Sequence, residues 1–307
     1  MEVNQNKLKV SVHIPLYIDK SKKFKKKQFS KVVKEFLKIS ENTKIHVHTN
    51  KKKIFFIKSK KVKLIYHNLK DINPLKLTWM CRNLMETQKK KFDVFIYSED
   101  DIFFTKKNFI YWNKFKDLCI KNNYNLGFIR AEKKSKNKAL YASDVTRKLI
   151  SYIFLNNIKF AVNDVNPYCA FWIYDKHEFN KFILTKYWKF KWNGFSLFAQ
   201  YYTREMSAIG WHGKNMNRYI SSIIPIKYNK LNTGSYVFHL SNKFANNPVL
   251  NKLDKSKKEQ FGSLKIVNLL SRKLILFKEI NIFKKKIMEI KYFIYKNIRF
   301  NKKNFFK

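Results

Sequence analysis

The chain has 307 residues, 45% of them hydrophobic and 17% aromatic, and a formal net charge of +45. That is enough apolar material for one large domain or two small ones, which excludes a disordered basic tail. Of the 66 basic residues only seven are arginine, the side chain that forks onto phosphates and guanine edges, so sequence-specific nucleic-acid recognition gains nothing from the charge. A generic attraction to anionic surfaces remains.

Residues 8–17, LKVSVHIPLY, are a β-branched run closed by Pro15 and read as a strand. In the lysine-rich stretch after it, Phe29, Val32, Val33, Phe36 and Leu37 recur at helical spacing. KIHVHTN (44–50) and KVKLIYHN (61–68) read as short strands. Asn73 and Pro74 supply a side-chain cap and a first-turn ring, so a helix starts there, with Leu77, Met80, Cys81, Leu84 and Met85 as its buried stripe. FDVFIYS (92–98) is the next strand. This alternation predicts an α/β fold with a mainly parallel sheet and crossover helices, in which ligands gather beyond the carboxyl ends of strands.

Further on, residues 111–120 read as a helix, 125–132 as a strand ending in Arg130 and Glu132, and 166–175 as an aromatic strand. Residues 188–210 begin as an aromatic loop and become a helix; 222–226 and 235–244 are short strands. From about 255, lysines alternate with bulky apolar residues at helical intervals, which predicts a basic amphipathic helical tail able to lie on an anionic membrane. The expected division is a catalytic domain over 1–254, with halves 1–101 and 102–254, and a tail over 255–307. Cys81, Cys119 and Cys169 fit neither a zinc site nor a disulfide scaffold and read as reduced core residues of a cytoplasmic protein, peripheral on the inner membrane face if the tail binds lipid. The first residues, MEVNQNKLKV, lack the apolar stretch of a signal peptide, and no window reaches the ~18 apolar residues of a membrane span.

The acid-poor chain, with 21 Asp and Glu, spends three of them side by side in FDVFIYSEDDIFF (92–104). Glu99, Asp100 and Asp101 follow the strand, with Glu99 and Asp101 on one side and Asp100 on the other. Two carboxylates ~5 Å apart repel by roughly 3 kcal/mol at an effective dielectric near 20. Either one keeps its proton or a cation sits between them, and hard cations such as Mn²⁺ or Mg²⁺ suit carboxylate oxygen.

FIYSEDDIFF resembles the acidic DxD metal motif of GT-A-fold glycosyltransferases, in the form seen in exostosin-like members, with Glu99 where the first Asp usually stands. The resemblance spans about residues 8–245 and includes an opening strand like VSVHIPLY. It implies a GT-A-like, Rossmann-related mixed sheet flanked by helices. It also implies Asp101 as metal ligand, with Glu99 and Asp100 holding the ribose or metal-bound waters and Glu99 able to join the metal's shell. Tyr17 and Asn50 would lie near the base and ribose, Arg82 could pair with phosphate, and His239 would be a late metal ligand. Glu205, in YYTREMSAIG, has the spacing of an acceptor-activating base, with Arg204 beside it for the carboxylate or the phosphate; Asp144 and Asp164 are rivals for the base.

Arg130 and Glu132 either face the sugar or form a structural pair, and Asn242 is a further candidate for substrate contact. The aromatics Trp188, Phe190, Trp192, Phe195 and Phe198 are core or an acceptor platform. The expected function is transfer of a sugar from a nucleotide-sugar to a glycan or lipid-linked acceptor in cell-envelope polysaccharide synthesis. A basic module for nucleic acid or membrane surfaces and a metal-dependent phosphotransfer enzyme are the alternatives.

Overall fold

The computed structural model describes residues 5–19, 26–54, 59–70, 72–135, 139–185, 187–189, 203–210, 222–250 and 260–277. In chain order these form β1 (Lys9–Leu16), α1 (Lys26–Phe36), β2 (Asn42–Thr49), β3 (Val62–Tyr66), α2 (Leu77–Thr87) and β4 (Val94–Ser98). Then come β5 (Ile102–Phe103), α3 (Lys106–Lys121), β6 (Asn125–Leu126), β7 (Ile129–Lys133), β8 (Leu140–Ala142), β9 (Leu149–Leu155), β10 (Ile158–Asn163), β11 (Phe171–Asp175) and α4 (Lys176–Ile183). The last are α5 (Thr203–Ile209), β12 (Ser222–Lys227), β13 (Lys230–Leu231), β14 (Tyr236–His239), α6 (Lys243–Asn246), β15 (Val249–Leu250), β16 (Gln260–Phe261) and β17 (Leu270–Leu276).

The first sheet has the order β11-β4-β1-β2-β3, parallel throughout except for β11. Its central strands are buried on both faces: β4 reads as a near-continuous apolar run, while β1 alternates apolar residues with the buried Ser11 and His13. The chain runs outward from β1 to β3, then returns to the other side of β1 with β4. The crevice between the carboxyl ends of β1 and β4 is therefore the switch point of the sheet. Phe29, Val32, Val33 and Phe36 bury the stripe of α1 as their spacing predicts. Asn73 caps a short 3₁₀ turn by accepting from the Leu75 amide, and α2 follows directly.

The acidic block is the passage from this sheet to a second one, of order β5-β14-β7-β8. A third sheet has the order β13-β12-β10-β9-β17, with β6 on β12. The predicted strand over 125–132 is split between the two: β6 pairs with β12, β7 with β14, and Gly127 sits at the step. A Cβ on Gly127 would stand 2.7 Å from Ile224 and 2.8 Å from the Ser222 hydroxyl, so only glycine permits this approach. The expected α/β class, with a mixed Rossmann-related sheet flanked by helices, is what the structure shows.

Residues 260–277 depart from the expected helical tail. Their β17 adds in parallel to β9, and Ile266 and Leu269 are buried in a second core with Leu149 and Ala161. The open edge of β9 offers backbone partners that an isolated helix would not use. The remainder of the tail, 255–259 and 278–307, lies outside the described residues. No described helix is long and apolar enough to cross a membrane. All three cysteines are free and buried, and burial pushes their thiols well above the usual range.

Candidate active site

A cleft of about 500 Å³ opens beyond β1 and β4, lined by Tyr17, Asp19, Gln28, Thr78, Glu99, Asp100, Asp101 and Arg204 among others. Sequence reasoning had not singled out Asp19, Gln28 or Thr78. The acidic block is held at its entrance by backbone bonds on both sides: Glu99 N donates to Ala170 O at 3.0 Å, and Leu240 N to Asp101 O at 2.9 Å.

Asp101 meets His239 from across the second sheet. His239 pairs with Ile102 in the antiparallel β5–β14 ladder, and its Nε2 lies 3.0 Å from Asp101 Oδ2. His239 Nδ1 is bonded to Glu132, and Ser241 Oγ lies 2.8 Å from Nε2. Burial works against a charge on the imidazole, but the bonds to Asp101 and Glu132 outweigh it and raise its pKa. Burial also opposes the Asp101 carboxylate, but the bond and charge of His239, together with Arg130 and Arg204, more than offset it, so its pKa falls. Asp100, half-buried, is the carboxyl without such help: burial, Asp101 and Glu99 push it up to about 7.

Glu99 turns inward. Tyr168 donates its hydroxyl to Glu99 Oε1 at 2.9 Å, and Arg204 Nε faces the same oxygen at 3.8 Å. Burial raises the Glu99 pKa, against the pull of Arg204. Arg204 stands on α5, whose Ser207 is anchored by Tyr97 at 2.9 Å and whose backbone accepts from the Trp172 indole at 3.0 Å. Glu205 lies beside Arg204 at 3.4 Å through Oε1, while its buried Oε2 has no hydrogen-bond partner. Tyr17 lines the cleft, 45% exposed.

Several sequence expectations fall elsewhere. Arg82 is buried; it donates to the carbonyls of Tyr187, Trp188 and Ser207 and stacks on Trp79 and Trp188, so it holds the approach to α5 rather than a phosphate. Asn50 is spent on a two-way bond with the backbone of Ile18, supporting the loop that carries Tyr17. Arg130 pairs not with Glu132 but with Asp144, through two bonds of 2.7 Å, which removes Asp144 as a base. Asp164 is exposed and outside the cleft. Asn242 adopts a left-handed conformation and accepts from the Lys133 amide, a turn-holding role. Trp188 is core; Phe190, Trp192, Phe195 and Phe198 lie outside the described residues.

Among the described residues no three carboxylate, imidazole or thiol groups converge as a metal cage. The donor set still fits a divalent cation that takes two protein ligands and completes its shell with water and phosphate oxygens. Asp101 Oδ2 and His239 Nε2 are adjacent, and the second ring nitrogen rests on a carboxylate, the support that metal-binding imidazoles usually have. Glu99, engaged by Tyr168 and Arg204, does not belong to that set.

No protein-family model matches the chain, and no curated protein matches it. Among solved structures, residues 1–349 of TarS from S. aureus, a glycosyltransferase, superpose with a TM-score of 0.33 and 12% identity over 76% of this chain and 61% of that chain. The chain thus spans about three fifths of that structure. At that TM-score the likeness carries no weight on function.

Proposed function

We propose that the chain is a metal-dependent glycosyltransferase that moves a sugar from a nucleotide-diphosphate donor to a glycan or lipid-linked acceptor, in cell-envelope polysaccharide synthesis. The observation that carries the reading is the meeting of Asp101, which lines the cleft at the switch point of the first sheet, with the buried His239 behind it. Asp101 and His239 would hold Mn²⁺ or Mg²⁺. When bound, the cation supplies positive charge to a departing diphosphate.

The remaining roles follow from position. Asp100, whose carboxyl is crowded by its neighbours, holds ribose hydroxyls or bound water. Arg204 faces the cleft with its charge secured by Glu99 and Glu205, and it steadies the diphosphate. Tyr17 gives the base an exposed ring to lie against. Glu205 does not line the cleft itself; it stands next to cleft-lining Arg204 on α5, and its buried, unpartnered carboxylate oxygen is the group assigned to take the proton of the acceptor hydroxyl.

The test is a thermal-shift and hydrolysis screen of UDP- and GDP-sugars with and without Mn²⁺, with CMP-sugars, which lack the diphosphate, as control. A diphosphate donor should raise Tm only with the metal and be slowly hydrolysed, and Asp101→Asn should remove both effects. Indifference of the wild-type protein to every donor would end the reading.

A further inference from the structure

The carboxylate behind His239 lies outside the cleft and has no role in the scheme above. Glu132 on β7 is fully buried. Strands β7 and β14 run parallel with Ala131 opposite Phe238, so the next residue on each, Glu132 and His239, are brought side by side. One Glu132 oxygen is bonded to His239 Nδ1, and the other accepts the Ala245 amide at 2.6 Å. Both oxygens are therefore committed, and the carboxylate cannot turn without breaking the start of α6.

We infer that Glu132 is the positioning residue of the cleft: it holds the Nδ1–H of His239, so that Nε2 is the nitrogen presented beside Asp101. This rests on the metal-dependent reading of the site. A neutral imidazole has one N–H and one lone pair, and an acceptor fixed at Nδ1 decides which nitrogen carries which. Without Glu132, Ser241 Oγ, which already lies 2.8 Å from Nε2 and 3.3 Å from Nδ1, is the side-chain partner left to Nδ1, and the proton is no longer fixed there. Asp101 would then lose its oriented neighbour, although no cleft-lining residue had been changed. Groups that orient a metal-binding imidazole in this way typically change metal affinity 10–100-fold when removed.

The decisive measurements are Mn²⁺ affinity, read from the electron paramagnetic resonance of free Mn²⁺ with and without UDP or GDP, and the ¹⁵N spectrum of His239. Glu132→Gln should weaken Mn²⁺ binding about 10–100-fold, and Glu132→Asp should recover part of it. In the wild-type protein with Mg²⁺ and UDP or GDP, neutral His239 should carry its proton on Nδ1, a signature that bracing of α6 alone would not produce. Wild-type binding of Mn²⁺ matched by Glu132→Gln would overturn the inference and leave the glycosyltransferase reading intact. No wild-type binding of Mn²⁺ under any condition would overturn both. Should the glutamine variant fail to fold, the wild-type ¹⁵N spectrum decides by itself: a proton on Nε2 refutes the role.

Discussion

Tyr168 donates its hydroxyl to Glu99 Oε1 across 2.9 Å, tying the loop before β11 to the first acid of the block. Arg204 approaches the same oxygen from the cleft side at 3.8 Å. The two partners make the first acid a fixed wall of the cleft, while Asp100 and Asp101 face its open volume.

Tyr168→Phe removes the donor and leaves a buried carboxylate with one partner fewer. The hydrogen bond to a charged group contributes about 1.5–3 kcal/mol. The Glu99 pKa is already raised by burial, and Tyr168 restrains that rise. A raised carboxyl loses stability as pH climbs above the unfolded value through the folded one. Removing the restraint extends that loss to higher pH, so the variant should be less stable than wild type by more at pH 8 than at pH 5. Urea denaturation at the two pH values checks it; an equal loss at both would mean that Glu99 keeps a single charge state in the native protein across that range.

Arg204→Gln separates binding from folding. The arginine is 44% exposed at its side chain, so its ion pairs are screened and their loss should lower stability by no more than about 1 kcal/mol. Its charge nevertheless faces the cleft. Donor hydrolysis should fall by about 10²–10³-fold in kcat/KM, the range seen when an oriented electrostatic contact to a reacting centre is lost. A loss of Tm without a change in kinetics would make Arg204 a structural residue.

Asp144 and Asp164 give opposite outcomes. Asp144 is bonded twice to buried Arg130, which also stacks on Tyr168. Asp144→Ala strands that guanidinium and should cost about 3–5 kcal/mol. Asp164→Asn, on an exposed loop, should stay within about 0.5 kcal/mol and leave turnover unchanged. Calorimetry on both variants settles the pair, and a large activity loss in Asp164→Asn would reopen its candidacy as base.

The first sheet was legible because β1 is rich in β-branched residues and β4 in apolar ones, and Asn73–Pro74 announces its helix chemically. The hairpin of β9 and β10 carried a signal that passed unread: Asn156 and Asn157, both at positive φ, make the two-residue turn that joins LISYIFL to IKFAVN. Strand β17 shares its Lys–Leu–Ile pattern with helices, and only the free edge of β9 decides between them. Within the site, the acidic block stood out because acids are scarce. Arg82 could have been placed correctly, since it falls on the buried stripe between Cys81 and Met85. Tyr168 could not: it is one of seventeen tyrosines, and its contact with Glu99 depends on a positive φ at Ala170 and on the pairing of β11 with β4.

The parallel strands of the first sheet also carry a file of imidazoles with a predictable response to acid. His13 Nδ1 lies 2.9 Å from His48 Nε2, and His48 Nδ1 lies 2.9 Å from His67 Nε2, while His46 stacks on His13. In such a file each ring must be neutral to accept from the next. Burial depresses all four, His46 to about 4, helped by Lys63 and Lys44, and His48 to about 3, helped by His67 and His46. The unfolded chain takes up protons near pH 6.5 and the folded one does not, so stability is full above 6.5 and falls as pH drops toward 4. At pH 5, His46 and His48 together cost about 4 kcal/mol. Asp100, raised to about 7, binds a proton in the fold over the same window and offsets about 2 kcal/mol, with Glu99 and Asp144 acting in the same sense. The wild-type slope alone is therefore ambiguous, and a variant isolates the file. His48→Asn should be less stable than wild type at pH 7.5, where the bonds are lost, yet should lose about 2 kcal/mol less on going to pH 5, where one proton no longer distinguishes the states. Urea denaturation of both proteins at the two pH values gives the difference, and parallel pH dependences would show that His48 takes up its proton in the fold as readily as in the unfolded chain.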